Sequence, residues 1–308
     1  MVLPRTAAAD ERSPHYLTLS EPERILRRPQ SWEGDQQPHT LSVLALDRAG
    51  YRYWGWYGLN NGRGMGLARS NDLVHWTKYE GNPLWRNARW PSAIGDADPA
   101  HPEVIYFAIT RDYDSPNSRI VLASSADGIH IRELGDLVPA APAERNQNPN
   151  LFRDPVTKRI YLTFYRGNDT DSFDLVSKSA LDIQSLASAP EKRVMHRTQT
   201  VAAPTLLYVP SAGESSGTYY LATETYPGRY ERHNRGWQVE VFASHRPDEG
   251  FEPVAANPVQ SGDRACLFQF IFEGRFVGFE SHLAHPSERW DMEIITAPLP
   301  SPGSASAP

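Results

Sequence analysis

Apolar and polar positions along this chain alternate in short runs rather than in long helical stripes. Five runs rich in aromatic and β-branched residues, at 51–57, 104–110, 160–165, 219–224 and 276–280, are bounded by Gly, Pro, Asn and Asp and predict strands. One step upstream of each lies another strand-like run, at 40–46, more weakly at Ala93-Ile94, then at 149–152, 201–209 and 266–272. Downstream comes a repeat. Ala68-Arg69-Ser70-Asn71-Asp72-Leu73-Val74-His75-Trp76 and Ala123-Ser124-Ser125-Ala126-Asp127-Gly128-Ile129-His130-Ile131 share one frame, 55 positions apart. Weaker copies stand at 176–179 and 243–248, with a last trace at 295–297.

Each unit therefore carries at least three strands joined by tight turns, and Asn82-Pro83-Leu84 or Asn257-Pro258-Val259 can supply a fourth. Five units of about 55 residues nearly fill the chain, and four-stranded antiparallel blades around a channel leave only short edges exposed. The prediction is an all-β, five-bladed β-propeller, one domain over residues 1–300, with 301–308 as a disordered Ser/Pro/Gly/Ala tail. Arg24-Ile25-Leu26 is placed to pair with the last blade and close the ring, and 181–188 to form a short turn.

Composition narrows the function classes. With 40% hydrophobic and 11% aromatic residues the 308-residue chain can build a large core, which excludes a disordered or fibrous class. A net charge of −6 argues against nucleic acid as a partner, because phosphate neutralisation needs a basic face. Residues 1–16 lack the apolar stretch of a secretory signal, and no window approaches the ~18 apolar residues of a membrane span, so the sequence reads as cytoplasmic, without a membrane partner. Its one cysteine, Cys266, excludes an intrachain disulfide and a Cys-rich zinc site; within Ala265-Cys266-Leu267-Phe268 it reads as a buried core thiol. No cofactor and no metal site is predicted.

In a blade the first two strands are antiparallel, so residues just before strand one and just after strand two share one face of the disc. The polar residues converging there are Asp35, Gln37, His39, Ser92, Asn146, Asn148 and Arg264 from the starts of first strands. From the ends of second strands come Asn60, Arg63, Arg111, Asp112, Arg166, Asp169, Glu224, Tyr226, Arg229, Glu280 and His282. Carboxylates, amides, guanidiniums and aromatic rings are what a hydroxyl-rich ligand requires, and a carbohydrate is the expected partner; a solvated loop rim is the plain alternative. Arg63, Arg111, Arg166 and Arg229 would also suit an anionic sugar through forked hydrogen bonds, or simply pair with neighbouring acids. His75 and His130 belong to the repeat and hence to blade structure.

Met65-Gly66-Leu67-Ala68-Arg69-Ser70-Asn71-Asp72-Leu73-Val74-His75-Trp76-Thr77-Lys78-Tyr79 with Gly81-Asn82-Pro83-Leu84, and Asn148-Pro149-Asn150-Leu151-Phe152-Arg153-Asp154-Pro155 running into Ile160-Tyr161-Leu162, resemble the five-bladed propellers of glycoside hydrolase family 43 and its relatives in families 32, 68 and 130. That resemblance implies paired-carboxylate chemistry on sugars, with a base before a proline in blade 1, a tuning aspartate before a proline in a middle blade, and an acid two residues before a proline in the next. Gln37-Pro38, Asn148-Pro149 and Ala202-Ala203-Pro204 occupy those settings here, and none is a carboxylate. Asp154 looks like part of the Arg-Asp-Pro element of family 32, but its nearness to the second strand places it in the hairpin of the opposite face.

Two accounts follow. In one the protein is a glycoside-active enzyme whose carboxylates sit at new positions, Glu224 or Glu280 as acid and Asp35 or Asp112 as base or nucleophile. In the other it is a sugar-binding or repurposed propeller without hydrolytic activity. Several carboxylates and arginines meeting in one pocket, each costly to desolvate, favour the enzyme. As a third class, an interaction platform would show an apolar rim patch, for which Trp85, Trp90, Trp237 and Trp290 are candidates.

Overall fold

The structure, a computed structural model, describes residues 16, 18–36, 38–59, 64–96, 102–142, 144–168, 172–211, 217–227, 235–284 and 289–299. Strand β1 (Glu23–Ile25) precedes blade 1, formed by β2 (Pro38–Arg48), β3 (Tyr51–Leu59), β4 (Gly64–Ser70) and β5 (Trp76–Lys78), with β6 (Trp85–Arg86) also pairing β4. Blade 2 comprises β7 (Ala88–Gly95), β8 (Ile105–Arg111), β9 (Arg119–Ser125) and β10 (Arg132–Val138). Blade 3 is β11 (Arg145–Arg153), β12 (Ile160–Gly167), β13 (Phe173–Ala180) and β14 (Glu191–Arg197). Blade 4 is β15 (Val201–Pro210), β16 (Gly217–Thr225), β17 (Gln238–Ser244) and β18 (Glu252–Pro253). Blade 5 contains β19 (Arg264–Phe272), β20 (Arg275–Ala284) and β21 (Arg289–Pro298), with β1 as its outermost strand. The fold is thus the five-bladed propeller the strand pattern predicts. The tail 301–308 lies outside the described residues.

The ring closes as the Arg24-Ile25-Leu26 segment suggests. β1 pairs antiparallel with β21, Ile25 opposite Met292, and Arg24 forms an ion pair with Asp291. Ile25 is buried in a cluster that spans blades 1 and 5, so the chain's two ends hold one another. Residues 184–186 form one 3-10 turn within the short turn expected at 181–188.

The repeated Ser-x-Asp frame is a turn device. Ser70 Oγ accepts the Leu73 amide and Asp72 Oδ1 the amides of Val74 and His75, while His75 Nδ1 meets Asp72 Oδ2 at 2.7 Å. In blade 2, Ser125 and Asp127 hold Gly128, Ile129 and His130 in the same way. Short polar side chains that satisfy their own turn's amides fix the link between strands three and four, as His75 and His130 imply.

The fourth strands of blades 1 and 4 are β5 and β18, and the two Asn-Pro segments lie beside the third strands. Leu84 N donates to the Met65 carbonyl and Val259 N to the Val239 carbonyl, both at 2.9 Å, and Asn82 and Asn257 add their side-chain amides. Asn82 accepts the Leu67 amide at 2.8 Å and donates to its carbonyl at 3.0 Å, and Asn257 does the same to Val241 at 2.7 Å each way. A carboxamide reproduces the donor and acceptor of a peptide group, which lets an Asn-Pro step continue a ladder that proline cannot.

Every first strand is broken by a bulge, between Pro38 and Thr40, Arg89 and Ser92, Gln147 and Asn150, Ala202 and Thr205, and Ala265 and Phe268. Trp90, Asn148, Ala203 and Cys266 take left-handed backbone at these bulges, with φ from 49° to 56°. The blades are then stitched at their inner strands. Ala93 N donates to Ser42 Oγ, Leu151 N to Ser92 Oγ, Leu206 N to Asn150 Oδ1 and Thr205 Oγ1 to the Leu267 carbonyl, all within 2.6–2.9 Å. Ser281 Oγ bonds the His39 carbonyl and completes the circle. A bulge re-aims the side chains around it, and here it does so at equivalent places in all five blades.

Candidate functional site

Asp154 is on the opposite face, as its spacing implies. It is buried in the hairpin between β11 and β12, where it accepts the Val156 and Thr157 amides and the Tyr219 hydroxyl at 2.9 Å. A capped, fully bonded carboxylate of this kind has no room for substrate.

On the face where first strands begin, a recess lies over blades 2 to 4. Its walls are Tyr113, Arg145, Gln147, Asn148, Tyr165, Phe173, Thr200, Ala202, Glu224 and Trp237. Glu224 lies near the end of β16 directly across from Ala202 on β15, so its carboxyl enters beside the setting where the family resemblance places the acid. Cys266 Sγ, from the bulge of blade 5, donates to Glu224 Oε2 at 2.8 Å and lies 3.4 Å from Nε2 of His39 in blade 1. His39 is wedged edge-on between Trp90 and Trp290, with centroids 5.2 and 4.7 Å away. The Arg89 guanidinium of blade 2 lies 3.5 Å over the Tyr113 ring. Side chains from all five blades thus meet around one polar centre.

Burial governs its protonation. Loss of water pushes Glu224 up to about 7, against the opposing pull of the Cys266 thiol and of Arg89. Burial, reinforced by Arg89, holds His39 well below the ordinary histidine range, and burial with the neighbouring Glu224 drives the Cys266 thiol well upward. Near neutral pH the centre therefore comprises a neutral imidazole, a neutral thiol and a carboxyl that shares its proton with solution. A thiol held protonated is a poor nucleophile, and Cys266 serves here as a donor to Glu224. Among the buried side-chain nitrogens without a hydrogen-bond partner are His39 Nδ1, Trp90 Nε1 and Asn148 Nδ2.

The other sequence candidates fall elsewhere. Asp112 is exposed and bonded to Asn87 and Arg119 on the outer side of blade 2. Asp35 is exposed in the loop before β2, where it accepts from Gln36. Arg111 turns toward blade 1, donating to the Arg86 carbonyl at 2.7 Å with its guanidinium over Trp85. Arg166 is engaged by Glu191 at 2.6 and 3.0 Å and by Asn146. The physical reason is strand parity: consecutive residues face opposite sides of a blade, and it is Tyr165, one position earlier, that lines the recess.

Glu280 is buried in a separate cluster of blade 5. Burial pushes it up to about 8, with Arg264 opposing and Glu293 reinforcing the shift. Arg264 Nε lies 3.2 Å from Glu280 and 3.1 Å from Glu293, which also meets His282 at 3.0 Å. Arg264 is ion-paired with both carboxylates, the two buried Glu280 oxygens accept no hydrogen bond, and none of these groups lines the recess. Tyr226 stacks at a tilt on Trp237, 5.5 Å between centroids, just behind the recess wall. Gln37, Asn60, Arg63, Asp169 and Arg229 lie outside the described residues.

Arg89, Tyr113, Gln147, Tyr165, Phe173 and Thr200 are site residues that the loop-end reasoning did not select. A signal existed for one: Arg89 precedes Trp90-Pro91, which parallels Asn148-Pro149 and Ala203-Pro204. Among the described residues, no group of three or more His, Cys, Asp or Glu side chains is arranged to hold a metal ion.

No family model matches the chain, and no curated protein matches it. Solved structures do. An N-acetylgalactosamine deacetylase from F. plautii, in complex with blood group B trisaccharide, superposes with a TM-score of 0.64 at 14% identity over 91% of this chain and 95% of its own. A thermostable family-43 glycoside hydrolase gives 0.63 at 13% identity over 86% and 91%. The α-L-arabinanase of Cellvibrio cellulosa, complexed with arabinohexaose, gives 0.60 at 12% identity over 85% and 92%. At such identities the likeness is one of fold: this chain has a family-43-like propeller fold.

Proposed function

We propose that this propeller is a carbohydrate-active protein that holds a sugar in the recess over blades 2 to 4 and uses Glu224 as the proton donor in cleaving or transferring a glycosyl group. The observation that carries the reading is Glu224 itself, buried, lining the recess and pushed up to about 7. An acid with that pKa keeps its proton near neutrality and still releases it to a leaving oxygen, which is the balance general-acid catalysis needs. Trp237, Tyr113 and Tyr165 offer ring faces for sugar C–H groups, and Asn148 an amide for hydroxyls. The sugars bound by two of the structural neighbours support a carbohydrate ligand.

A second reading, sugar binding without hydrolysis, is favoured by one observation: among the described residues Glu224 is the only carboxyl on the recess wall. Glycoside hydrolysis by paired carboxylates needs two. Turnover of a panel of aryl pentofuranosides and hexosides, measured beside calorimetric binding of the same sugars, tests both. The expected result is turnover of at least one glycoside that falls about 100-fold or more in Glu224→Gln while binding persists. Binding without turnover selects the second reading, and neither binding nor turnover overturns both.

A further inference from the structure

We propose that the sugar taken by the recess carries a carboxylate, as in a uronic acid residue, and that this group is received on the blade 2 and 3 side by Arg89, Asn148 and Trp90. The inference rests on the sugar-binding reading above. It begins with how donors and acceptors are distributed around the centre. Blades 4 and 5 contribute the Glu224 carboxyl and the Cys266 thiol, which already bond each other. Blades 2 and 3 contribute donors: the Arg89 guanidinium, the Trp90 indole and the Asn148 amide.

Trp90 Nε1 and Asn148 Nδ2 are buried without a partner, on residues only 2% and 3% exposed. Both stand at the same place in their blades, on left-handed bulge residues that precede Pro91 and Pro149. Leaving such donors unsatisfied is costly, so a ligand with acceptor atoms is the natural complement. An indole N–H can only donate. Arg89 brings positive charge to that side, and its field acts on His39, Glu224 and Cys266 together.

A hydroxyl accepting from these groups would also need an acceptor for its own proton. A carboxylate has no proton to place, and its two oxygens accept charge-assisted bonds that are shorter and stronger than neutral ones. Of these three donors Asn148 lines the recess, on the same wall as Trp237. Of the four arginines the sequence offers for an anion, Arg111 and Arg166 are bonded away from the recess and Arg63 and Arg229 lie outside the described residues; the Arg89 guanidinium lies over Tyr113, which is on the recess wall.

Isothermal titration of the intact protein with the methyl glycosides of glucuronic and galacturonic acid, against those of glucose, galactose and arabinose, tests the assignment. The expected result is at least about tenfold tighter binding of the uronides, the gain that charged hydrogen bonds confer. Arg89→Met should erase that preference while a neutral sugar still binds, and Arg89→Lys, which keeps the charge, should retain part of it; thermal melts check that both variants fold. Neutral glycosides binding as tightly as uronides would overturn this inference and leave the sugar-binding reading standing. A preference unchanged in both variants would overturn it too, whereas failure of every sugar to bind would remove the sugar-binding reading itself.

Discussion

Ala202 and Glu224 face each other as Cα partners across the first two strands of blade 4, so a methyl group stands where the family resemblance expects an acid and the carboxyl arrives from the adjacent strand. Under the proposed function the proton donor is thus supplied by the second strand of blade 4 and lines the recess. Burial raises the affinity of Glu224 for a proton, and the Cys266 thiol limits that rise.

If Glu224 donates the proton in turnover, the rate should be flat on the acid side of about 7 and fall tenfold per pH unit above it, since only the protonated carboxyl is active. A pH–rate profile on the best substrate of the panel checks this. An alkaline limb that persists unchanged in Glu224→Gln would assign it to another group.

The thiol's part can be isolated. Cys266→Ala removes the donor that stabilises ionised Glu224, so the alkaline limb should move to higher pH, while Cys266→Ser, which keeps a donor, should shift it less. In the native protein Cys266 should also resist iodoacetamide and become reactive only on unfolding, because it is 1% exposed and held protonated.

Glu280 couples stability to pH. Its folded pKa, near 8, lies above the unfolded value near 4.5, so the folded state binds the extra proton and stability falls as pH rises between those values. Glu280→Gln should therefore flatten the decline of Tm between about pH 5 and pH 8, and leave the variant more stable than wild type by a few °C at pH 8.5. A variant whose Tm falls as steeply as wild type over that window would contradict the assignment.

Asp72 works with the opposite sign. The His75 and Val74 amides, the His75 ring and Ser70 outweigh its partial burial and hold it at about 2, below its usual value near 4. Its contribution is present above about 4 and lost as pH falls toward 2. Asp72→Ala should lower Tm at pH 7 and leave it nearly unchanged at pH 2, with His75→Ala and His130→Ala sparing any turnover, since both rings are on exposed turns.

Closure of the ring by β1 predicts that Ile25→Ala destabilises by about 2–4 kcal/mol, the usual range for truncating a buried aliphatic side chain. Chemical denaturation measures it. An effect below about 0.5 kcal/mol would mean that β1 contributes little to the ring.

What could be read from the linear sequence is what is built locally. The Ser-x-Asp frame at 70–72 and 125–127 bonds its own turn, and the aromatic and β-branched runs at 51–57 or 219–224 need only their neighbours to become strands, so blade number and closure followed from order and spacing. That no carboxylate stands at Asn148 or Ala202 was legible too, because a bulge before proline is a local feature.

The site's chemistry was not local. Which residue of a strand end faces the recess depends on alternation along the strand and on the bulges, and a shift of one position separates Tyr165 on the wall from Arg166 bound to Glu191. Asp112 and Glu224 look alike as acids at second-strand ends, yet one meets solvent and Arg119 while the other meets Cys266, 42 residues away, beside His39, 227 residues from that cysteine. Desolvation by distant segments, which no spacing encodes, decided that Glu224 titrates near 7 and that Arg89 lies at the centre.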